Sequence, residues 1–188
     1  MKKMIFVGIL FATFLSNSAL SNDNKSVFEV YQASLNTPQY QSMIDQGNKR
    51  ILALDAQYKQ ILQDTNMPLA PAPPLTALEI IGVLSYSSGW TYVSNVNDLV
   101  HPYNVADIIA IHTIEYGYGQ NRIAKFNGSN LVKYDETAIL DSGNVVIGWH
   151  YGYSITDWNF MADSGSATYQ ATSINSPWNT ETDSLYIP

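Results

Sequence analysis

The sequence predicts a mainly β protein: a compact antiparallel β-sandwich, immunoglobulin-like or a small barrel, preceded by an N-terminal helical segment. Three observations predict this fold class. Beyond Leu75, apolar and polar residues alternate with the period of two that β-strands require. Before it, apolar residues recur every three or four positions, as on one face of a helix. Between the two parts lies the Pro-rich stretch 68–74, "PLAPAPP", which interrupts both patterns.

These changes of pattern divide the chain into four parts. We assign a signal peptide to residues 1–21, a helical segment to 22–67, a Pro-rich linker to 68–76 and the β-sandwich to 77–188. Ten of the 13 tyrosines and all four tryptophans follow the Pro-rich stretch. The aromatic content therefore belongs to the predicted sandwich.

The first residues have the features of an export signal. Lys2 and Lys3 precede a nearly unbroken apolar run, Met4 to Leu15, and small residues follow. We predict cleavage after Ser21, with Ser18 as the alternative. The run is shorter than the roughly 20 residues that span a bilayer, so we expect no membrane insertion. The sequence predicts a secreted protein, extracellular or periplasmic.

Composition excludes several function classes. The chain has no cysteine, which removes disulfides, thiolate catalysis, thiolate metal ligands and a lipid-anchored N-terminus. Its formal net charge is −7 at pH 7, and removing Lys2 and Lys3 would make it −9. Nucleic acids and anionic membrane surfaces both recruit Lys and Arg, so we expect neither as a partner.

The helical segment predicts two helices. A short one covers Val27 to Leu35, and a longer one begins with Thr37 as N-cap and Pro38 in the first turn and runs to Gln63. Asp45, Lys49, Asp55 and Lys59 are expected at the surface of the longer helix. Its apolar stripe is formed by Tyr40, Ile44, Gly47, Ile51, Leu54, Tyr58 and Ile61. The stripe either packs within the chain or forms a self-association seam through the 37–63 helix.

The β part predicts eight strands separated by turn signals such as Asn127-Gly128 and Ser164-Gly165. Their predicted ranges are 77–85, 90–94, 106–116, 122–126, 131–134, 145–155, 167–174 and 184–187. The stretch 112–130, "HTIEYGYGQNRIAKFNGSN", contains Gly117 and Gly119, but Arg122 stands where a dinucleotide fingerprint needs its third glycine. We therefore predict a strand that bends at a sheet corner.

Two histidines are the candidate catalytic residues. Alternation places His112 and Glu115 on opposite faces of their strand, and it places His150 opposite the aromatic face of its own strand. If the two strands are neighbours, His112 and His150 could converge with an acid such as Asp107 or Asp157. This is the basis of the alternative function, a small secreted hydrolase. No metal motif such as HExxH accompanies them, and we predict neither a metal nor another cofactor.

The aromatic side chains favour a different function. Trp158 and Trp178 lie in polar segments, "TDWNF" and "NSPWNT", and are expected as exposed anchors. Tyr116 and Tyr118 flank the predicted corner. Rigid aromatic side chains suit sugar stacking and protein recognition. We predict a non-catalytic binding module with these four residues as contacts and a glycan or a protein surface as ligand.

The stretches "EYGYGQNRIAKFNG", "DSGNVVIGWHYGYSI" and "SINSPWNTETDSLYIP" are similar to a family of small secreted bacterial proteins of unknown function, the YolA-like proteins of bacilli. The resemblance covers about 78–188 and excludes the helical segment. It implies a secreted β domain. It implies no activity and brings no catalytic residues.

Overall fold

The computed structural model describes residues 25–65, 73–93 and 105–188. The predicted signal peptide, its cleavage site and most of the Pro-rich linker lie outside these ranges. Among the residues described, no helix has the length and apolar character needed to cross a bilayer.

Two helices open the described chain. Helix α1 spans Val27–Ser34, and a capping box closes its start: the Ser26 side chain accepts from the Glu29 amide while the Glu29 carboxylate accepts from the Ser26 amide. Helix α2 spans Pro38–Asp64 with Thr37 as N-cap, so the predicted start is confirmed.

In the described part of the chain, nine strands follow in two antiparallel sheets, which confirms the mainly β fold class. The first sheet has the order β2-β1-β3-β7-β6, and the second has the order β5-β4-β8-β9. Within the described ranges these are two open sheets facing each other, a sandwich rather than a closed barrel. The strands are β1 Ala77–Ser85, β2 Gly89–Tyr92, β3 Ile108–Tyr116, β4 Gly119–Phe126, β5 Ser129–Asn130, β6 Val132–Leu140, β7 Val146–Ser154, β8 Gly165–Ser173 and β9 Thr180–Ile187.

The first sheet is the middle of three layers. On one of its faces α2 packs against β1, β2, β3 and β7, and α1 packs against β7. The other face meets the second sheet, as shown by the hydrogen bond from Tyr169 of β8 to Glu115 of β3. Strand β3 is consequently buried along its whole length.

The predicted sheet corner is confirmed. Strand β3 ends at Tyr116 in the first sheet, and β4 begins at Gly119 in the second. Between them, Gly117 has a φ of +92°, and a Cβ there would overlap the carbonyl oxygen of Pro74. Only glycine combines this backbone conformation with such a close approach.

Several strands extend beyond their predicted ranges, among them β4, which begins at Gly119 rather than at Arg122. β6 continues to Leu140 through Asp135 and Glu136, and β9 begins at Thr180 rather than at Ser184. Acidic residues are depleted in strands, which hid both extensions. β6 is an edge strand of the first sheet, where exposed charges are common.

The apolar stripe of α2 packs within the chain, but one residue of the predicted stripe and one predicted surface residue of the helix are placed differently. Ile61 is 58% exposed, whereas Asp55, expected at the surface, is buried. Asp55 accepts a hydrogen bond from Tyr116 Oη (3.2 Å) and lies 2.8 Å from Lys59 Nζ, so its burial is compensated. Tyr40 and Ile51 of the stripe are buried within this chain. Self-association through the 37–63 helix stays a prediction.

Candidate functional site

The two candidate histidines meet beneath the helices. β3 pairs with β7, and His112 Nε2 lies 3.1 Å from His150 Nδ1. Glu115 points the other way, into the space between the sheets. The predicted faces of both histidine strands are thus confirmed.

The hydrogen bonds fix the tautomers of the pair. His150 Nε2 lies 3.0 Å from Asn48 Oδ1, which can only accept, so Nε2 carries the proton and Nδ1 is left as an acceptor. His112 Nε2 must therefore donate to His150 Nδ1. This leaves His112 Nδ1 a buried acceptor, without a hydrogen-bond partner among the described residues.

Both imidazoles are neutral because they are buried. Burial lowers the pKa of His150 to about 4. Burial, and secondarily the neighbouring His150, lower the pKa of His112 well below its usual range. Two neutral rings that share one hydrogen bond form a stable buried pair, but neither is a strong base.

The pair lacks the other parts of a hydrolytic site. His112 is 0% and His150 is 1% exposed, and the rings of Tyr40 and Trp90 cover His112 at centroid distances of 5.4 and 5.9 Å. Asp157 does not join them: its side chain accepts from the Asn159 amide and caps a short 3-10 helix. The two histidine strands are neighbours and the histidines converge, as the prediction required, but Asp157 has a different partner.

A second polar cluster lies between the two sheets. Glu115 is fully buried, and its carboxylate accepts hydrogen bonds from Arg122 Nε and Nη2. It also accepts from Tyr169 Oη at 2.6 Å. The Arg122 guanidinium also lies 4.4 Å from the centroid of the Tyr151 ring. These contacts satisfy a buried charge and hold the sheets together. Sequence analysis did not find this cluster.

The four predicted aromatic contacts do not share one surface. Trp158 packs on Tyr86, next to the end of β1, and its Nε1 donates to the Lys25 carbonyl. Trp178 and Tyr118 lie at the opposite end of the strands. Nine-residue β3 separates the two ends by about 26 Å at roughly 3.3 Å per residue. One ligand contact cannot include both tryptophans unless the ligand is large.

Tyr116 must be removed from the set of contacts. It is 2% exposed, its hydroxyl donates to Asp55, and its ring packs against Tyr58 of α2. It faces the helical layer because Glu115, its neighbour in β3, faces the second sheet. Tyr116 is a core residue.

Trp178 is the most exposed large apolar side chain described, at 66%. Its backbone has a φ of +54°, a region that residues other than glycine rarely occupy. The loop is fixed on both sides: the Trp178 amide donates to the Asn175 carbonyl at 2.8 Å, and the Asn179 side chain donates to the Leu75 carbonyl at 3.3 Å. The indole is therefore held outward by an ordered loop.

Further apolar residues lie at the same end of the sandwich. The amide of Ile174 donates to the Tyr118 carbonyl, and the Tyr118 hydroxyl donates to the Val146 carbonyl, next to the β6–β7 turn. Ile174, Leu140 and Val145 are each more than 40% exposed. We name this set the corner patch: Tyr118, Leu140, Val145, Ile174 and Trp178.

A groove lies at another edge of the molecule, between α2 and the edge strand β2. Its volume is about 390 Å³, and it is lined by Pro38, Gln39, Ser42, Gln46, Trp90 and Tyr92. Sequence analysis missed it. One signal was present: Gln39, Ser42 and Gln46 follow the helical spacing of three and four, and form an uncharged polar stripe.

Metal ligands do not gather anywhere in the described part of the chain: no group of three or more His, Asp or Glu side chains is positioned to hold an ion.

Comparison with known proteins places the chain in a family. No curated protein and no solved structure matches it. A family model does match, over residues 70–187, which include both sheets but not the helices. The match covers more than half of the chain, and the chain therefore belongs to the family described as Domain of unknown function (DUF4879).

Proposed function

We propose that this protein is a non-catalytic binding module and that its corner patch contacts a protein surface. The observation that supports this most directly is the position of Trp178. Its side chain is exposed, and its backbone occupies a conformation that costs on the order of 1–3 kcal/mol. Strain of this kind, on an ordered loop and under an exposed tryptophan, is typical of a contact residue.

The composition of the corner patch favours a protein over a glycan. Besides the Trp178 indole, the patch contains three aliphatic side chains, Leu140, Val145 and Ile174, each more than 40% exposed. Sugar sites use aromatic faces together with polar hydrogen-bonding groups, whereas protein interfaces place an aromatic anchor among apolar neighbours. Apolar residues grouped at one end of a domain are also a common sign of an interaction surface.

The alternative function, a secreted hydrolase, has weaker support. A general base must come within hydrogen-bond reach of its substrate, and the rings of His112 and His150 are enclosed between α2 and the first sheet.

Export through a cleaved signal peptide and kinship with the YolA-like secreted proteins remain part of the proposal. They rest on residues 1–21 and on the quoted stretches of sequence.

The variant Trp178→Gly tests the proposal. Glycine removes the indole and also relieves the left-handed backbone, so we expect the variant to be at least as stable as the parent. Parent and variant are immobilised side by side. Proteins retained from the culture fluid and the cell envelope of the producing cells are then quantified by mass spectrometry. The protein that the parent retains in the largest amount relative to the variant is purified for affinity measurement.

Tyr186→Ala is the matched control, since Tyr186 is 48% exposed and lies at the other end of the sandwich. We expect a partner whose affinity falls by about 30-fold or more with Trp178→Gly, as for a buried interface tryptophan, and is unchanged with Tyr186→Ala. Equal retention by the parent and Trp178→Gly would refute the role of the corner patch.

A further inference from the structure

We infer that the groove between α2 and β2 is a second binding site, and that its ligand is a segment of a neutral oligosaccharide. This site lies apart from the corner patch and goes beyond the proposed function. One wall is the helical stripe Gln39, Ser42 and Gln46. The floor is formed by Trp90 and Tyr92, which are two residues apart on β2 and therefore share a face.

The polar side chains of the groove have free hydrogen-bonding capacity. The Gln39 amide and the Tyr92 hydroxyl make no hydrogen bond within the described part of the chain. Gln46 donates through Nε2 to Ser42, at 3.2 Å to its carbonyl and 3.3 Å to its hydroxyl, which leaves Gln46 Oε1 as an acceptor. Donors and acceptors are thus both available, as a ligand with many hydroxyl groups requires.

The floor of the groove is rigid. Trp90 is only 5% exposed, and its Nε1 donates to Ser34 Oγ at 2.8 Å. Its ring also packs against Tyr31 and Tyr40 at centroid distances of 6.1 and 5.5 Å. Tyr92, which is half-buried, supplies the more accessible ring. An ordered aromatic floor reduces the entropy that a ligand must overcome on binding.

The charge and size of the groove select among ligands. None of its six lining residues is charged, which disfavours phosphates, nucleotides and acidic sugars, since these recruit Arg and Lys. Its volume of about 390 Å³ falls within the range of small-molecule sites. Aromatic rings with amide and hydroxyl groups, and no charge, match the alternating apolar faces and hydroxyl rims of neutral sugars.

Direct titration tests this inference. The purified protein is titrated calorimetrically with cellotetraose, maltotetraose and the tetramer of N-acetylglucosamine, with an acidic galacturonate tetramer and an uncharged eight-residue peptide for comparison. The test variant is Gln39→Ala/Gln46→Ala. Its matched control is Gln57→Ala/Gln60→Ala, which makes the same change at two exposed positions of the same helix outside the groove.

We expect at least one neutral tetramer to bind the parent, the control and Trp178→Gly equally. Its affinity should fall about tenfold or more in Gln39→Ala/Gln46→Ala, and about fivefold in Tyr92→Phe. Three results would overturn the inference: no neutral tetramer binds, binding is unaffected by the groove variant, or only the peptide or the acidic tetramer binds in a groove-dependent way. If Trp178→Gly still binds the neutral tetramer, the test of the groove is independent of the test of the corner patch.

Discussion

The buried histidine pair predicts that acid destabilises the protein well above the pH at which carboxylates protonate. In the folded state both rings are neutral, hydrogen-bonded to each other, and covered by α2. Unfolding exposes them to water, where a histidine has a pKa of about 6.5. Between that value and the folded pKa, the unfolded chain binds protons that the folded protein does not.

The sign and size of the effect follow from this difference. When the unfolded state binds more protons, the free energy of unfolding falls as the pH falls. For His150, with a pKa lowered by burial from 6.5 to about 4, one pKa unit corresponds to roughly 1.4 kcal/mol. The loss between pH 7 and pH 4 is therefore about 3 kcal/mol. His112 acts in the same direction, because its pKa is also lowered.

Urea unfolding followed by circular dichroism at pH 7, 6, 5 and 4 measures this loss. Glu79 and Asp183, which are partly buried, oppose it, since partial burial raises their pKa values and the folded state then binds more protons than the unfolded chain. Glu79 and Asp183 are present in both the parent and the variant His150→Gln, so their contribution cancels when the pH dependence of the two unfolding free energies is compared. We expect the free energy of unfolding of the variant to fall about 3 kcal/mol less than that of the parent between pH 7 and pH 4.

Parallel pH profiles for the parent and His150→Gln would refute this reasoning, whatever the absolute stability of the variant. Proton NMR provides an independent check. If the resonance of the proton on Cε1 of His112 or His150 titrates near pH 6.5 in the folded protein, that ring is accessible to solvent and the hydrolase alternative regains support.

Two further substitutions test how the layers are held. Glu115→Gln should lower the free energy of unfolding in urea at pH 7 by about 3–5 kcal/mol, because it leaves Arg122 without its buried partner. The double variant Glu115→Leu/Arg122→Met should recover most of this loss. A loss below about 1 kcal/mol in Glu115→Gln would contradict the role of the ion pair. Gly117→Ala should cost about 2 kcal/mol more than Gly89→Ala, because both glycines have a positive φ but only at Gly117 would a Cβ overlap backbone, at Pro74; equal losses would show that the corner backbone can move.

Local patterns in the sequence predicted the parts of the fold that depend on local rules. Alternation along "IIAIHTIEY" determined that His112 and Glu115 face different layers, and the Thr37-Pro38 pair determined the start of α2. The range of β1 was also predicted correctly. Each of these depends only on side-chain period or on capping, and both are properties of a few consecutive residues.

Contacts between distant segments could not be predicted in this way. Asn48 and His150 are 102 positions apart, and no local rule indicates that α2 covers the histidine face. The same limit separated Trp158 from Trp178: both are loop tryptophans in sequence, and only the strand order places them at opposite ends. The groove was missed because its two walls, α2 and β2, come from either side of the Pro-rich stretch.

Glycines in the strands also have a role that their sequence context did not indicate. Alternation along β7 places Gly148 and Gly152 on the same face as His150, and in the structure these glycines make room for the helices. A Cβ built on each of three sheet glycines would lie 3.0 Å or less from a helix side chain: Met43 for Gly82, Ile51 for Gly148 and Tyr31 for Gly152. The helical layer therefore packs closely against this face at each of the three glycines.

Gly47 completes this fit from the helix side. A Cβ there would lie 2.7 Å from His150 Cε1, so α2 has its smallest residue where the sheet presents a ring. The histidine face is shaped for this helix, although the family match begins only at residue 70. Without the helices, His112, Ile81 and Ile114 would lose the cover that buries them. In this chain, the region that matches the family thus depends on the preceding helices for a closed core, and protonation of His150 acts at that interface.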